Sequence, residues 1–251
     1  MTGSESHNSS GTGAERVIEL RHLAKTYRKQ GAAPIAAVDD ISLTVERGEF
    51  IAILGPSGSG KSTLMNIIGL LDRPDSGEYL LNGRDALGMS EVDAAKARNS
   101  VIGFVFQAYH LLPRTTAIEN VQLALLYANA RDYREKSEAA LELVGLGDRR
   151  KHYVSELSGG QQQRVAIARA IVNEPHIILA DEPTGNLDSN TQGEIIELFK
   201  TLNRKRTTVV LITHNLEVAE QADRVIRIKD GRIAADDVVR GKRAAEQEAA
   251  T

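Results

Sequence analysis

Apolar residues along this chain follow two different spacings, one typical of strands and one typical of helices. Three short, continuous apolar runs, at 50–54, 177–180 and 209–212, have the length of buried strands. Segments with apolar residues at helical spacing, such as 158–172 and 191–202, separate these runs. Because strands that alternate with helices usually pair in parallel with both faces covered, the pattern predicts a mainly parallel, covered sheet.

Two regions depart from this alternation. Near the start, 17–23 and 41–45 alternate like half-buried strands and are joined by a polar, alanine-rich loop. In the middle, 117–127 and 133–144 have helical spacing, which predicts a helical insertion between strand-forming segments. The remaining predicted elements are strands at 78–81, 101–106 and 224–228, helices at 61–70, 91–98 and 216–221, and turns at 82–83 and 230–231.

The composition limits the class of protein. The chain has 251 residues, and its 31 Lys and Arg against 34 Asp and Glu give no sign of nucleic-acid binding. The absence of Cys excludes disulfides and thiolate metal sites. No uncharged apolar run approaches the roughly 18 residues that span a bilayer, and 1–14 is expected to be a disordered leader. We therefore expect a cytoplasmic protein that inserts no segment into a membrane and reaches one only through a partner.

A glycine-rich segment follows the strand predicted at 50–54 and fits the pattern G-x-x-x-x-G-K-[ST]. Its glycines let consecutive backbone N–H groups turn inward around a phosphate, Lys61 can neutralise β- and γ-phosphate oxygens, and Ser62 offers a hydroxyl to Mg²⁺. The alternative is a chance glycine-rich turn. The predicted nucleotide-binding residues of this segment are Gly55, Pro56, Ser57, Gly58, Ser59, Gly60, Lys61, Ser62 and Thr63.

Two carboxylates follow the apolar run 177–180. Asp181 is expected at the C-terminal end of a buried strand beside the strand 50–54, where it can help hold Mg²⁺. Glu182 is expected to face the γ-phosphate and to orient or deprotonate the attacking water. The alternative is an exposed acidic turn before Pro183.

With these motifs and a third one, the chain resembles the nucleotide-binding subunits of ABC transporters over nearly all of 17–239. The third motif matches the signature of that family word for word: Leu157, Ser158, Gly159, Gly160 and Gln161. The glycine-rich segment matches its Walker A motif, and 177–182 matches its Walker B motif with the catalytic glutamate. Few proteins with a phosphate-binding loop carry the signature as well, so the pair narrows the function more than either motif does alone.

Four single residues also match positions of the family. Gln107 resembles the Q-loop glutamine, Asp188 the D-loop aspartate, His214 the switch histidine and Tyr27 the aromatic residue that stacks on adenine. Each of three has a plainer alternative: Gln107 as a polar strand end, His214 as a loop histidine and Tyr27 as a packing residue.

The resemblance implies an α/β P-loop NTPase fold with a mainly parallel sheet core, an N-terminal antiparallel β subdomain and an inserted α-helical subdomain at 111–172. The ATPase domain would span 15–240, with a tail at 241–251. ATP and Mg²⁺ are the implied cofactors. The implied catalytic residues are Glu182, His214, Gln107 and Lys61, and the implied metal ligands are Ser62, Gln107 and Asp181.

The signature implies a homodimer. Ser158 would open a helix whose N–H groups and positive dipole end face an anion. In the family that anion is the γ-phosphate bound to the P-loop of the other protomer, so that two chains enclose two ATP molecules. Each catalytic site would then be incomplete in a monomer.

The amino-acid sequence in and around the motifs resembles the macrolide-export and lipoprotein-release branch of the family, at residues 55–66, 104–107, 111–114 and 179–188. That branch implies an ATPase subunit on the inner face of the cell membrane that drives a separate transmembrane permease, an exporter of drugs, peptides or lipoproteins. The alternative is a cell-division type of ATPase that signals across the membrane without transporting. An ATPase acting on DNA or ribosomes is disfavoured, because the chain has one such domain and no room for a coiled coil inside it. A P-loop kinase is disfavoured because nothing in the chain suggests an acceptor pocket.

Three residues after the Q-loop lead to a further hypothesis. Tyr109, Leu111 and Leu112 are expected to line a groove that receives a cytoplasmic helix of the permease. Packing inside the helical insertion is the alternative.

Overall fold

The computed structural model describes residues 15–28, 31, 33–128 and 131–239. The predicted leader at 1–14 and tail at 241–251 lie outside the described residues. Within the described residues, no helix is long and apolar enough to cross a membrane.

The smaller of two sheets is antiparallel and four-stranded. It contains β1 (Arg16–Tyr27), β2 (Ile35–Glu46), β4 (Ser76–Leu81) and β5 (Arg84–Asp85), in the order β2-β1-β4-β5. The strands predicted at 17–23, 41–45 and 78–81 are confirmed, and the first two are longer than expected. The two-residue strand β5 was not predicted, because both of its residues are polar and exposed and carry no hydrophobic pattern.

The larger sheet has six strands. Its strands are β3 (Phe50–Leu54), β6 (Ile102–Phe106), β7 (Ile177–Asp181), β8 (Thr208–Thr213), β9 (Arg224–Lys229) and β10 (Arg232–Val238), in the order β10-β9-β3-β8-β7-β6. Neighbouring strands from β9 to β6 pair in parallel, whereas β10 pairs antiparallel with β9 across the turn at Asp230 and Gly231. The mainly parallel core is therefore confirmed.

The position of β7 corrects one expectation. Asp181 was expected on a strand beside β3, but β8 lies between β3 and β7. The hydrophobic runs of β7 and β8 are equally apolar and both strands are buried, so their sequences do not say which of them pairs with β3.

Helices cover both faces of this sheet. They are α1 (Lys61–Ile68), α2 (Glu91–Ser100), α3 (Ala117–Tyr127), α4 (Tyr133–Leu143), α5 (Gly159–Ile171), α6 (Ser189–Arg204) and α7 (Leu216–Ala219). Side chains of β3 alternate between the two layers: Phe50 and Ala52 join the apolar cluster of α3 to α6, and Ile51 and Ile53 join the cluster of α1 and the small sheet. The nucleotide loop and the signature helix thus begin in different layers of the fold.

A buried asparagine shapes the entry to the helical insertion. Asn120 is fully buried, and its Oδ1 accepts a hydrogen bond from the Leu112 amide at 2.8 Å. Its Nδ2 donates to Thr115 Oγ1 at 2.7 Å and to the Thr116 carbonyl at 3.1 Å. One side chain therefore fixes the loop that leads from the Q-loop into α3.

Candidate active site

The predicted site residues gather at the carboxyl edge of the large sheet. Gly55 follows β3, Gln107 follows β6, Asp181 ends β7 and His214 follows β8. Ligands of parallel α/β sheets bind outside the carboxyl ends of the strands. The fold therefore brings together motifs that lie far apart in the sequence.

The turn between β9 and β10 holds the glycine-rich loop in place. The Gly231 amide in the β9–β10 turn donates to the Ser59 carbonyl at 3.0 Å. Gly60 has φ 102°, and a Cβ there would collide with the carbonyl of Ala37 at the start of β2. A glycine is required at position 60 because an L-residue would be both strained and obstructed.

The N-terminus of α1 is open to a ligand. Gly60 is its N-cap, and among the described residues no side chain caps this helix end. Its first N–H groups therefore lack intrahelical partners and carry the positive end of the helix dipole. The Ser59 hydroxyl is also buried without a partner among the described residues. These are donors that a phosphate group would satisfy.

Lys61 is poised inside the same loop. Its side chain is buried, and Nζ donates to the carbonyls of Gly55 and Pro56, each at 2.8 Å. Burial lowers the pKa of Lys61, whereas the nearby carboxylates of Glu182 and Asp181 oppose this shift. The ammonium is thus held by two neutral carbonyls that a phosphate could replace with a stronger, charged acceptor.

Asp181 and Glu182 form an acidic pair in front of Lys61. Burial, followed by the charge of Glu182, raises the pKa of Asp181, and Lys61 opposes this shift. A carboxylate whose pKa is raised by burial and a like charge, beside Lys61, is a candidate for a functional role.

His214 holds the second carboxylate. Glu182 Oε1 lies 2.6 Å from His214 Nδ1, and Oε2 accepts a hydrogen bond from Thr213 Oγ1 at 3.1 Å. Glu182 has φ 44°, an uncommon left-handed conformation that turns the chain immediately after β7. The candidate base is therefore fixed in orientation, while the His214 side chain stays 64% exposed.

The donor set fits Mg²⁺ that arrives with a nucleotide. Among the described residues, no group of three or more His, Asp or Glu side chains could hold a metal ion. Mg²⁺ is commonly bound by one or two carboxylates together with substrate phosphates and waters. Asp181 and the exposed Ser62 hydroxyl at the first turn of α1 suit that pattern.

Gln107 has a different partner in this structure. Its Nε2 donates to Asn186 Oδ1 at 3.2 Å, and Asn186 Nδ2 donates back to the Gln107 carbonyl at 3.1 Å. Sequence reasoning missed Asn186. The metal contact proposed for Gln107 stays a prediction.

Tyr27 lies at the end of β1, next to α1. Its hydroxyl donates to Asp72 Oδ2 at 2.8 Å, and Lys25 Nζ lies 5.5 Å from the ring centroid. Lys25 also bonds Asp72 Oδ1 at 2.9 Å. Sequence reasoning missed Lys25 and Asp72, since no motif links residues so far apart. Tyr27 is 43% exposed, so part of its side chain can still contact a base.

The signature forms the N-terminus of α5. Ser158 Oγ accepts from the Gln161 amide at 3.3 Å, and the Ser158 amide donates to Gln161 Oε1 at 3.0 Å, which completes a capping box. Ser158 and Gly159 are exposed, and Leu157 is buried. This helix end is therefore well ordered and faces outward.

Asp188 connects the D-loop to the signature through a residue that the sequence did not reveal. Asp188 caps α6 and accepts from Thr191 Oγ1 at 2.6 Å. A Cβ at Gly160 would lie 2.5 Å from Thr191 Cγ2. Thr191 therefore packs α6 against α5 and at the same time holds Asp188, which no sequence motif indicates.

The structure thus unites Lys61, Asp181, Glu182 and His214, and it places the signature in the other layer. A family model described as "ABC transporter" matches residues 38–185. An uncharacterized ABC transporter ATP-binding protein of Thermotoga maritima is 51% identical over 221 residues, which cover 87% of this chain and 94% of that protein. The macrolide export ATP-binding/permease protein MacB of Bdellovibrio bacteriovorus is 49% identical over 88% of this chain, which spans only 34% of MacB.

Solved structures give the same result. The dimeric ATP-binding cassette MJ0796 bound to ADP and Pi superposes with a TM-score of 0.82 at 43% identity, covering 89% of this chain and 99% of that one. A second dimeric structure of MJ0796 gives a TM-score of 0.81. With the motifs, the site geometry and these relatives in agreement, the chain belongs to the ABC transporter family and is one of its ATP-hydrolysing cassettes.

Proposed function

We propose that this ATPase works as an ATP-gated homodimer that drives a separate transmembrane permease. The observation that carries the proposal is the separation of two helix N-termini. The chain provides a phosphate-binding loop at α1 in one layer, and an exposed, anion-ready helix end at Ser158 in the other. A second copy, related by two-fold symmetry, would bring its Ser158 to the nucleotide of the first. The dimeric state of the cassette MJ0796 supports this arrangement.

The site supports in-line hydrolysis of ATP. Lys61 and the N–H groups at the start of α1 would bind the phosphates, and Glu182 would orient and deprotonate the attacking water. His214 contacts Glu182 in this structure, and we expect its exposed ring to contact the γ-phosphate when ATP is bound. Mg²⁺ held by Ser62, Asp181 and the phosphates would neutralise charge on the transferred group.

The permease and its cargo extend the proposal. MacB joins an ATP-binding part and a permease in one protein, as its name states. This chain resembles the ATP-binding part, so we place it on the inner face of the cell membrane beside a separate permease that exports drugs, peptides or lipoproteins.

The contact with the permease would involve the segment after Gln107. Leu112 is 47% exposed, whereas Leu111 packs against the core and Tyr109 is half-buried. Arg169 of α5 donates to the carbonyls of Tyr109 and His110 at 2.8 and 2.6 Å. We therefore assign the docking contact to Leu112 and give Leu111 a packing role. Next to this segment, a cleft of about 1030 Å³ between α2 and β6 exposes further apolar side chains, among them Val92 and Tyr127.

Dimerisation of the Glu182→Gln variant tests the proposal. We expect this variant to bind ATP, to hydrolyse it slowly and to elute as a stable dimer, measured by size-exclusion chromatography with light scattering. In the same background, Ser158→Arg should keep ATP binding at its own loop but remain monomeric. A dimer that persists with both substitutions would refute the role of Ser158 across the interface.

A further inference from the structure

A cavity of about 620 Å³ opens at the edge of the large sheet opposite to the active site. His176 and Thr207, which precede β7 and β8, line it, together with residues of α4 and of the C-terminal end of α6. Its volume lies in the range of small-molecule sites. The proposed ATPase cycle does not use it.

The floor of this cavity is apolar. Ala140 and Leu143 of α4, Ile171 and Val172 at the end of α5 and Leu202 of α6 form it. Four of the five are buried in the core, and only Leu143 is exposed. Leu143 therefore presents the largest exposed apolar surface of the floor, and the other four residues line it from the core.

The rim is basic. Five charged residues line the cavity, four of them cationic: Arg47, Lys136, Glu174, Lys205 and Arg206. Arg47 pairs with Glu15, and Lys136 lies 3.4 Å from Asp132. Within the ranges that the structure describes, no carboxylate lies within ion-pair distance of Lys205 or Arg206. These two cations are available to an anion from outside.

The backbone of Arg206 adopts a left-handed conformation that is unfavourable for residues other than glycine. Lys205 is the C-cap of α6, and the next residue, Arg206, has φ 69°. Helices commonly place glycine at this position, because other residues are strained there. Asn203 holds the turn, since its Nδ2 donates to the carbonyls of Gly48 at 2.8 Å and Thr207 at 3.1 Å. Backbone strain of this kind also occurs at ligand-binding sites.

His176 supplies a neutral donor. Its Nδ1 lies 3.2 Å from an Arg47 guanidinium nitrogen and 3.0 Å from Asn82 Nδ2, and because both are donors the ring proton lies on Nε2. Burial, followed by the Arg47 charge, lowers the pKa of His176, so the ring is neutral near pH 7. The Nε2–H group has no partner among the described residues.

We propose that this cavity binds an amphipathic anion: a carboxylate or phosphate head on an alkyl body. The head contacts Lys205 and Arg206, and the alkyl body covers the apolar floor at Leu143. The basic rim selects against neutral amphiphiles, and the apolar floor selects against small inorganic anions.

Calorimetric titration of the full chain with decanoate, below its micellar concentration, tests this inference. We expect saturable binding with one site per chain, and none with decanol or acetate, each of which lacks one half of the ligand. Decyl phosphate in a parallel titration identifies the preferred head. The absence of saturable binding by both decanoate and decyl phosphate, or equal binding of decanol, would overturn the proposal.

Variants locate the site. Lys205→Gln combined with Arg206→Gln should weaken binding at least about tenfold, since charge-assisted hydrogen bonds to the head are lost. Arg204→Gln is the matched control, because Arg204 lies on the same helix end, outside the cavity, and pairs with Glu197. Ala139→Phe should also weaken binding, because Ala139 is an exposed residue at the cavity and the ring would obstruct part of it. Equal losses for Arg204→Gln and the double variant would place the ligand elsewhere.

Discussion

Glycine-rich segments form the N-termini of both α1 and α5, yet the hydrogen bonding and exposure of the two helix ends differ. At α1, among the described residues, no side chain caps the helix at Gly60 and the buried Ser59 hydroxyl has no hydrogen-bond partner. Lys61 turns inward and donates to the Gly55 carbonyl. At α5, Ser158 and Gln161 satisfy each other in a capping box, and the end faces outward. The first helix end is shaped to enclose an anion, whereas the second exposes its first turn at the surface.

This difference predicts separate roles for the two helix ends, with α1 in nucleotide binding and α5 in closure of the dimer. In the proposed mechanism, the unsatisfied donors of α1 would let one chain bind phosphate without help from a partner. In the proposed dimer, the capped end of α5 would contact the nucleotide of the other chain and not its own. Loss of the α1 site should remove nucleotide binding, whereas loss of the α5 end should leave binding intact and remove dimer closure. Substitutions at the two ends test that division, from the largest expected effect to the smallest.

Removing the carboxylate of Glu182, the proposed general base beside the nucleotide loop, should have the largest effect. Glu182→Gln removes the carboxylate that His214 and Thr213 orient. We expect kcat to fall about 10²–10⁴-fold, the usual contribution of a general base. ATP affinity should stay nearly unchanged, as measured by equilibrium binding. A fall in kcat of less than about tenfold would assign the base elsewhere.

Removing the buried ammonium of Lys61 should strongly weaken the binding of ATP. Lys61→Ala takes away the only cation of the loop 55–62, and we expect ATP to bind at least about 100-fold more weakly, or roughly 3 kcal/mol. Fluorescent-nucleotide titration measures this loss. Lys200→Ala, on α6 away from the loop, is the control and should bind ATP normally. Equal affinity of Lys61→Ala and the wild type would contradict the phosphate contact.

Distorting the α5 end should affect stability and gating but not binding in one chain. Gly160→Ala places a Cβ 2.5 Å from Thr191 Cγ2, an overpacking that costs about 1–3 kcal/mol of unfolding free energy. Thr191→Ser removes that methyl and keeps the hydroxyl that bonds Asp188. We expect Thr191→Ser to recover most of the loss in urea denaturation. Additive losses in the double variant would show that the two residues do not interact.

A smaller effect concerns the pH dependence of stability. The pKa of Asp181 is higher in the folded protein than in the unfolded chain. The stability that protonated Asp181 contributes is therefore fully present below the unfolded-state pKa and is lost as the pH rises through the folded-state pKa. Asp181→Asn should therefore stabilise the nucleotide-free protein at neutral pH, by on the order of 1 kcal/mol, and change little under acidic conditions. Denaturation at both pH values measures the difference, and Asp85→Asn, at an exposed carboxylate of the small sheet, is the control. A gain that is equal at both pH values would rule out the raised pKa as its cause.

The sequence predicted local features well, because their causes are local. Glycine loops, apolar strand runs and the Ser158 capping pattern depend on neighbouring residues, and the elements around Gly55, Asp181 and Ser158 were found where expected. Long-range partners were not predictable. Strand order decided that β8 separates β3 from β7, and the contacts Tyr27–Asp72, Gln107–Asn186 and Gly160–Thr191 join residues that no motif connects.

The bond from the Gly231 amide to the Ser59 carbonyl has a consequence for synthesis. The nucleotide loop is made early, but the hairpin that supports it and the neighbouring strand β9 are made near the end of the described chain. Domains fold as units while they leave the ribosome, and long-range pairing forms late. We therefore expect a nascent chain to carry the whole phosphate-binding segment before it can retain ATP, so that cellular nucleotide would stabilise the finished cassette and not its precursors.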